Sequence, residues 1–482
     1  MQDLEQFREF GHKVFDILID YLKELESKPA WTERDEETIE ITKKVIESLP
    51  EKGGYLDFLN FFLDFLKNYI LPFNQGNIHP RYYAWIQGSG TPLGAIADFI
   101  ASFLNLNVSI GNHIGRDIDA QVVEWSKTLF NFPKSSSGLL VSGSSMANLT
   151  AITAAIYDYN ARYPGKKDKF RAYTSKETHK CIHRALKAIN GDLACLKEIE
   201  TNNNFEINCD LLEKQIISDA KFGYEPFLII GNFGTVNTGA IDSLSDLIKI
   251  KNKHKLWLHI DGAYGAPALL TKQLKHNFEL FSKVDSLAFD FHKLFNINYA
   301  AGCFLIQKKE ILTKVFKIEN QPYLMNDLKN GIAGGLPATD SLGYEVSRPF
   351  NALKVWMTFK YYGLQDITEM IESRIDLAKY LENQIKKNHS STLKLISPVI
   401  ISIVCFKFVK KGYSIHQLNE LNKSIVLNIQ KTGKAVPSTT VVNNEVVIRV
   451  SIINYKTNTI HIDDLLNQII ETGNKLVQSN KL

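Results

Sequence analysis

LLVSGSSMANLT, residues 139–150, decides the fold. Leu139–Val141 reads as an apolar strand, Gly143, Ser144 and Ser145 turn the chain, and a helical pattern runs from Ala147 to Tyr157. The same alternation repeats downstream. Strands are expected at Arg171–Thr174, Phe227–Ile230, Leu256–Ile260, Ser286–Phe289 and Gly302–Ile306, with helices at Cys181–Ala188 and Leu244–Lys251. Strands this short, apolar at nearly every position, suit a sheet covered on both faces. Strand–helix alternation predicts a mainly parallel α/β sheet with crossover helices. Ligands of such sheets sit at the carboxyl ends of the strands.

Outside this block the texture differs. Residues 1–75 read as helical, with apolar stripes over 4–22 (Leu4, Phe7, Val14, Leu18, Tyr21) and 55–71, separated by a break near Pro50–Gly54. From Trp356 the pattern is a long helix near 367–388, a strand Val399–Phe408, a helix near 415–431, strands Ser438–Val442 and Val446–Ile453, and a helix near 461–478. That order suits a small α+β layer. The expected division is a helical segment 1–75, a large domain 76–355 and a small C-terminal domain 356–482.

A composition of 44% apolar and 22% charged residues is ordinary for a globular protein. The formal charge of +4 gives no support to a nucleic-acid or anionic-membrane partner. No apolar run approaches the ~20 residues of a membrane span, and the N-terminus does not read as a signal peptide. Five widely spaced cysteines, with no CxxC pair, indicate neither a metal site nor a disulfide framework and predict a cytoplasmic protein with reduced thiols.

Five stretches could carry chemistry. In SLAFDFHK (286–293) a lysine follows a histidine at the end of a buried strand. Lys293 is either a nucleophilic amine or a solvated lysine opening a loop. In LWLHIDGAYG (256–265) Asp261 ends a strand and precedes small residues. It could grip a protonated ring nitrogen, or simply cap backbone N–H groups. The 139–150 turn offers hydroxyls, N–H groups and a helix N-terminus, which make either a phosphate cradle or an ordinary capped helix. It lacks the lysine of a P-loop and the glycine spacing of a dinucleotide fingerprint. His179 and Thr235 each follow a strand end, and each taken alone reads first as structural, with a catalytic or orienting role as the alternative. Together, in this chain order, they supply what a phosphorylated aromatic aldehyde needs: a phosphate site, a ring-stacking partner, an acid for the ring nitrogen and an amine for the aldehyde. Pyridoxal 5′-phosphate is that cofactor.

Through these motifs the chain resembles the group II pyridoxal-phosphate-dependent amino-acid decarboxylases, including the aromatic-L-amino-acid decarboxylases. The resemblance runs from about His79 to Ile470. HPRYYAWIQGSGTPLGAIAD (79–98) is similar to the family's substrate segment, and SRPFNALKVWMTFKYYG (347–363) and VIRVSIINYKTNTIHIDDLL (447–466) to its later segments. The resemblance implies the aspartate-aminotransferase-like fold (fold type I) and a homodimer with active sites at the interface, clasped by N-terminal helices. It implies that Lys293 forms the Schiff base, that Asp261 pairs with the pyridine nitrogen, and that His179 stacks on the ring. Ser144, Ser145, the Met146 backbone and His292 would hold the phosphate, Thr235 and Ala263 would flank the ring, and His79, Pro80, Tyr82 and Tyr83 would bind substrate. Asp290 has a weaker implied role, since a carboxylate beside phosphate is unfavourable. The expected reaction is decarboxylation of an L-amino acid, an aromatic one favoured because Tyr82, Tyr83 and Trp85 could wall its side chain.

The chain departs from the family pattern in one place. A loop tyrosine is thought to protonate Cα in aromatic decarboxylases, but counting back from Arg348 gives Gly334, Gly335 and Leu336, and neither Tyr323 nor Tyr344 aligns. Relatives with another residue there can make aldehydes. Arg348 matches a family arginine, while Pro349 replaces a second. An aldehyde synthase, a carbon–carbon lyase and a catalytically silent binding protein are therefore the competing readings.

Overall fold

The computed structural model describes residues 4–47, 49, 55–318 and 330–479. The Pro50–Gly54 break and Tyr323 lie outside them. Among the described residues seven strands form the main sheet: β1 (Ser137–Val141), β2 (Phe170–Ser175), β3 (Leu196–Ile199), β4 (Glu225–Asn232), β5 (Trp257–Asp261), β6 (Ser286–Asp290) and β7 (Gly302–Ile306). Their spatial order is β1-β7-β6-β5-β4-β2-β3. β2 to β6 run parallel, and β7 lies antiparallel between β6 and β1. The link from Asp290 to Gly302 carries Lys293 and holds no helix. It is too short for a parallel crossover, so β7 has to return antiparallel.

Every residue of β2, β5, β6 and β7 is buried, as a sheet covered on both faces requires. Helices Ser144–Arg162 and Lys180–Asn190 pack on one face. Helices Cys209–Lys221 and Leu244–His254 cover the other. Asn208 caps the first of that pair by accepting the Leu211 N–H at 3.1 Å.

A second, antiparallel sheet follows: β8 (Leu393–Leu395), β9 (Ile403–Phe408), β10 (Ser438–Val442) and β11 (Glu445–Ser451), in the order β10-β11-β9-β8. Helices Ile415–Lys431 and Thr459–Gln478 pack on it. The helix between the sheets begins at Ala352, well before the expected 367, and is interrupted at Gly363 (φ 74°). Arg449 of β11 is buried and donates to the carbonyls of Val236 (2.6 Å), Asn237 (3.1 Å) and Trp85 (3.3 Å). It thereby ties the small sheet to two loops of the main one.

The first helix, Leu4–Lys23, has no buried residue. Its stripe side chains Leu4, Phe7 and Leu18 are exposed, and Phe10 touches Phe62 of helix Tyr55–Phe65 at 6.1 Å. No described helix is long and apolar enough to cross a membrane.

Candidate active site

The carboxyl ends of β1, β4, β5 and β6 open into a cavity of about 590 Å³. Lys293, Asp261, His179, Ser144, Ser145, Met146, Thr235, Ala263 and His292 all line it. The fold thus gathers the motif residues from segments more than a hundred positions apart.

Lys293 Nζ lies 2.9 Å from Asp290 Oδ2. Burial pulls the ammonium down, but Asp290 and, further off, Asp261 outweigh it, so its pKa stands above the ordinary value. Asp290 is itself buried and accepts the Ser144 N–H through Oδ1 at 2.7 Å, while His292 Nε2 stands 3.6 Å from its Oδ2. Asp290 therefore joins the lysine to the helix N-terminus. Gly302 permits this packing, since a Cβ there would stand 2.4 Å from Gly143 Cα.

Asp261 closes β5. Its Oδ1 accepts the Ala263 N–H (3.1 Å) and its Oδ2 the Asn148 side-chain N–H (3.2 Å). Burial pushes its carboxyl up; Lys293, the Ala263 N–H and His179 oppose that. His179 precedes helix Lys180–Asn190, where its Nδ1 accepts the Cys181 N–H at 3.3 Å, which leaves the ring proton on Nε2. Lost solvation lowers its pKa despite the pull of Asp261, with Lys293 and Arg184 adding repulsion, so the ring is neutral and suited to stacking. Burial likewise lowers His292, whose Nδ1 rests on the Ala301 backbone. Thr235 Oγ1 accepts the Ala240 N–H at 3.1 Å in a loop shaped by Gly234 (φ 96°), where a Cβ would stand 2.9 Å from Gly265 Cα.

The Met146 N–H donates to the Gly143 carbonyl (2.9 Å), so its expected phosphate contact is already engaged in the helical turn. His79, Pro80, Tyr82 and Tyr83 do not line the cavity in this chain; Trp85, Ile86 and Gln87 do. The reason is pairing with the C-terminal part. Tyr83 N–H donates to the Val436 carbonyl (2.9 Å) and its hydroxyl to that of His461 (3.1 Å), while the Pro80 carbonyl accepts from Thr457 Oγ1 (2.7 Å). His79 is buried, and its Nδ1 accepts the Arg81 N–H at 3.0 Å. Tyr82 reaches the cavity indirectly, donating to Gln87 Oε1 at 3.0 Å.

Arg348 does not line the cavity either; its Nη2 donates to both Asp119 carboxylate oxygens (2.8 and 2.9 Å) in a buried ion pair. Tyr344 shares a hydrogen bond with Thr153 Oγ1 at 2.7 Å and does not line the cavity. Sequence reading missed Asn148, Cys181, Asn232, Gln87 and Tyr299. Alternation along WLHID, which puts Trp257, His259 and Asp261 on one face of a buried strand, was the available signal for the polar layer beneath Asp261.

Residues 60–409 match the pyridoxal-dependent decarboxylase conserved domain. The chain is 35% identical over 460 residues to an aromatic-L-amino-acid decarboxylase of Bacillus atrophaeus, covering 94% of this chain and 93% of that one. A phenylacetaldehyde synthase of Arabidopsis thaliana is 25% identical, with 93% and 92% covered. Among solved structures, Oryza sativa TDC with PLP and tryptamine superposes with a TM-score of 0.89 at 21% identity, covering 99% of each chain, which shows the shared fold. The cavity residues fit that cofactor. Ser144 Oγ is buried without a partner at the first turn of its helix, where an anion is favoured, and a carboxylate and an amine face the same space. On the profile match and the identity together, this chain belongs to the pyridoxal-dependent decarboxylase family, enzymes that use pyridoxal 5′-phosphate to release the carboxyl group of an amino acid.

Proposed function

We propose that the substrate is an aromatic L-amino acid and the product the corresponding amine. The supporting observation is the convergence of Lys293, Asp261, His179 and the Ser144 turn on one cavity whose outer wall includes Trp85 and Tyr299. When bound, the cofactor supplies an electron sink for the pair left on Cα as carbon dioxide departs. Lys293 is the amine that anchors its aldehyde. Asp261 holds a proton on the ring nitrogen, so that the sink is cationic. His179 covers one ring face, Thr235 and Ala263 bound the ring, and Ser144, Ser145 and His292 take the phosphate. The indole of Trp85 and the phenol of Tyr299 give the substrate ring apolar surface.

A homodimer fits this reading. Leu4, Phe7, Phe15 and Leu18 on the first helix, with Phe99 and Phe103 on helix Pro92–Leu104, are exposed apolar side chains that a second copy would cover. The three-part division 1–75, 76–355 and 356–482 fits the two sheets and the outlying helices. A cytoplasmic setting fits five cysteines with no CxxC pair.

The test is a product screen across the twenty amino acids with cofactor-loaded protein, reading amine and aldehyde together. Amine from phenylalanine, tyrosine or tryptophan is expected. Aldehyde with ammonia in place of amine would support the second reading, which the likeness to a phenylacetaldehyde synthase favours. Failure of every amino acid to give amine would overturn the proposal.

A further inference from the structure

Beneath Asp261 lies a layer of polar side chains that sheet and helix seal from water. Asn148, His259 and Ser286 are 0% exposed and Trp257 2%. Trp257 and His259 share the Asp261 face of β5, Ser286 is the register partner of His259 on β6, and Asn148 reaches down from helix Ser144–Arg162. Four hydrogen bonds connect them in series. Trp257 Nε1 and Ser286 Oγ are 3.0 Å apart, Ser286 Oγ and His259 Nδ1 2.9 Å, His259 Nε2 and Asn148 Oδ1 2.7 Å, and Asn148 Nδ2 and Asp261 Oδ2 3.2 Å.

One assignment of protons gives every side chain of this series a partner. An indole N–H can only donate, so Ser286 accepts from Trp257, and in this assignment its own hydroxyl hydrogen goes to His259 Nδ1. Burial pushes the His259 pKa down to about 3, so the ring is neutral and carries a single proton. That proton is on Nε2 and is donated to the Asn148 oxygen, which turns the Asn148 amine toward Asp261. With the amide flipped, its oxygen would face a carboxylate oxygen and its amine would face His259 Nε2. The ring proton would then have to sit on Nδ1, and the buried Ser286 hydrogen would lose its acceptor.

We propose that Trp257, Ser286, His259 and Asn148 form a one-way chain of hydrogen bonds that orients Asp261 and keeps it an anion toward the ring nitrogen of pyridoxal 5′-phosphate, with His259 and Asn148 as positioning residues. The Asn148 N–H occupies one acceptor site on Oδ2 and the Ala263 N–H one on Oδ1. The lone pairs that remain serve a donor arriving from the cavity. Cys181, whose Sγ stands 3.8 Å from the same Oδ2, adds a weak contact and no competing strong donor.

The proposal rests on Asp261 facing the ring nitrogen, and the experiment separates the two claims. Dissociation constants of the cofactor-stripped full chain are measured for pyridoxal 5′-phosphate and for its carbocyclic analogue, in which C–H replaces the ring nitrogen. Apo-protein melting is recorded alongside. The wild type should prefer the pyridine form, and Asp261→Asn should erase that preference; if it does not, the Asp261 reading fails and this proposal with it. Asn148→Leu and His259→Leu are expected to lose about tenfold in affinity for the pyridine form while holding the analogue within about twofold. His259→Gln, which retains an N–H for Asn148, should recover most of the loss. Ser286→Ala removes a single hydroxyl, keeps the packing, and should shift the preference in the same direction; it decides the matter if the larger changes do not fold. Equal loss for both ligands would show that the layer only packs the core, and an unchanged preference would show that it does nothing to Asp261. Either result overturns the proposal.

Discussion

The floor of the cavity and its rim are built differently. On the floor, Asp261, Asn148, His259 and Ser286 are buried, and their hydrogen bonds end on other protein atoms. On the rim, Trp85 and Tyr299 are 58% and 48% exposed, and Trp85 holds a left-handed backbone conformation (φ 53°) that a bulky residue seldom adopts. The floor is organised before any ligand arrives, which suits a cofactor that stays. The rim keeps its apolar surface uncovered, which suits a substrate that comes and goes or a second subunit.

If that contrast holds, changes on the floor should abolish chemistry and changes on the rim should alter selection. Lys293→Met should show the largest effect. We expect turnover to fall on the order of 10³-fold or more, with loss of the absorption band of bound cofactor near the visible–ultraviolet boundary, checked by spectrum and initial rates. Trp85→Leu should come next. KM for an aromatic amino acid should rise about tenfold, equivalent to about 1.4 kcal/mol, with kcat much less affected, as steady-state kinetics would read. An equal fall in kcat would place Trp85 with the floor.

The smallest effect is expected at the junction of the two. Asp290 holds the Lys293 pKa up, and burial alone would hold it down. Asp290→Asn therefore lowers that pKa and enlarges the neutral, nucleophilic fraction near neutral pH. Cofactor capture by the stripped protein should speed up, and its rise with pH should move to lower pH, as followed by stopped-flow absorbance. A rate profile identical to the wild type would show that Asp290 does not set the charge of the lysine.

How far the sequence could be read follows from the same physics. β1, β2, β4, β5, β6 and β7 were visible because each carries a mostly apolar buried run, in the edge strand β1 as in the central ones. β3 (LKEI) and β8 (LKL) were not, because these two edge strands are only four and three residues long and carry lysine. The Gly363 interruption hid the first turns of the helix that starts at Ala352. Within the site, residues at strand ends were legible because the fold itself sends ligands there. The aromatics of His79–Tyr83 look like a substrate wall, while the pairing with Val436 that keeps Tyr83 off this chain's cavity joins positions far apart in the chain. Asn148 was invisible for a related reason: a polar residue in a helix discloses nothing until its partner on β5 is known.

The central claim is that Lys293 is the amine this cavity presents to an aldehyde. Mixing the stripped protein with pyridoxal 5′-phosphate, reducing with borohydride and mapping the label by peptide mass spectrometry tests it directly. The account predicts a single modified peptide, with the label on Lys293 of SLAFDFHK. A label on another lysine, or none at all, would contradict it.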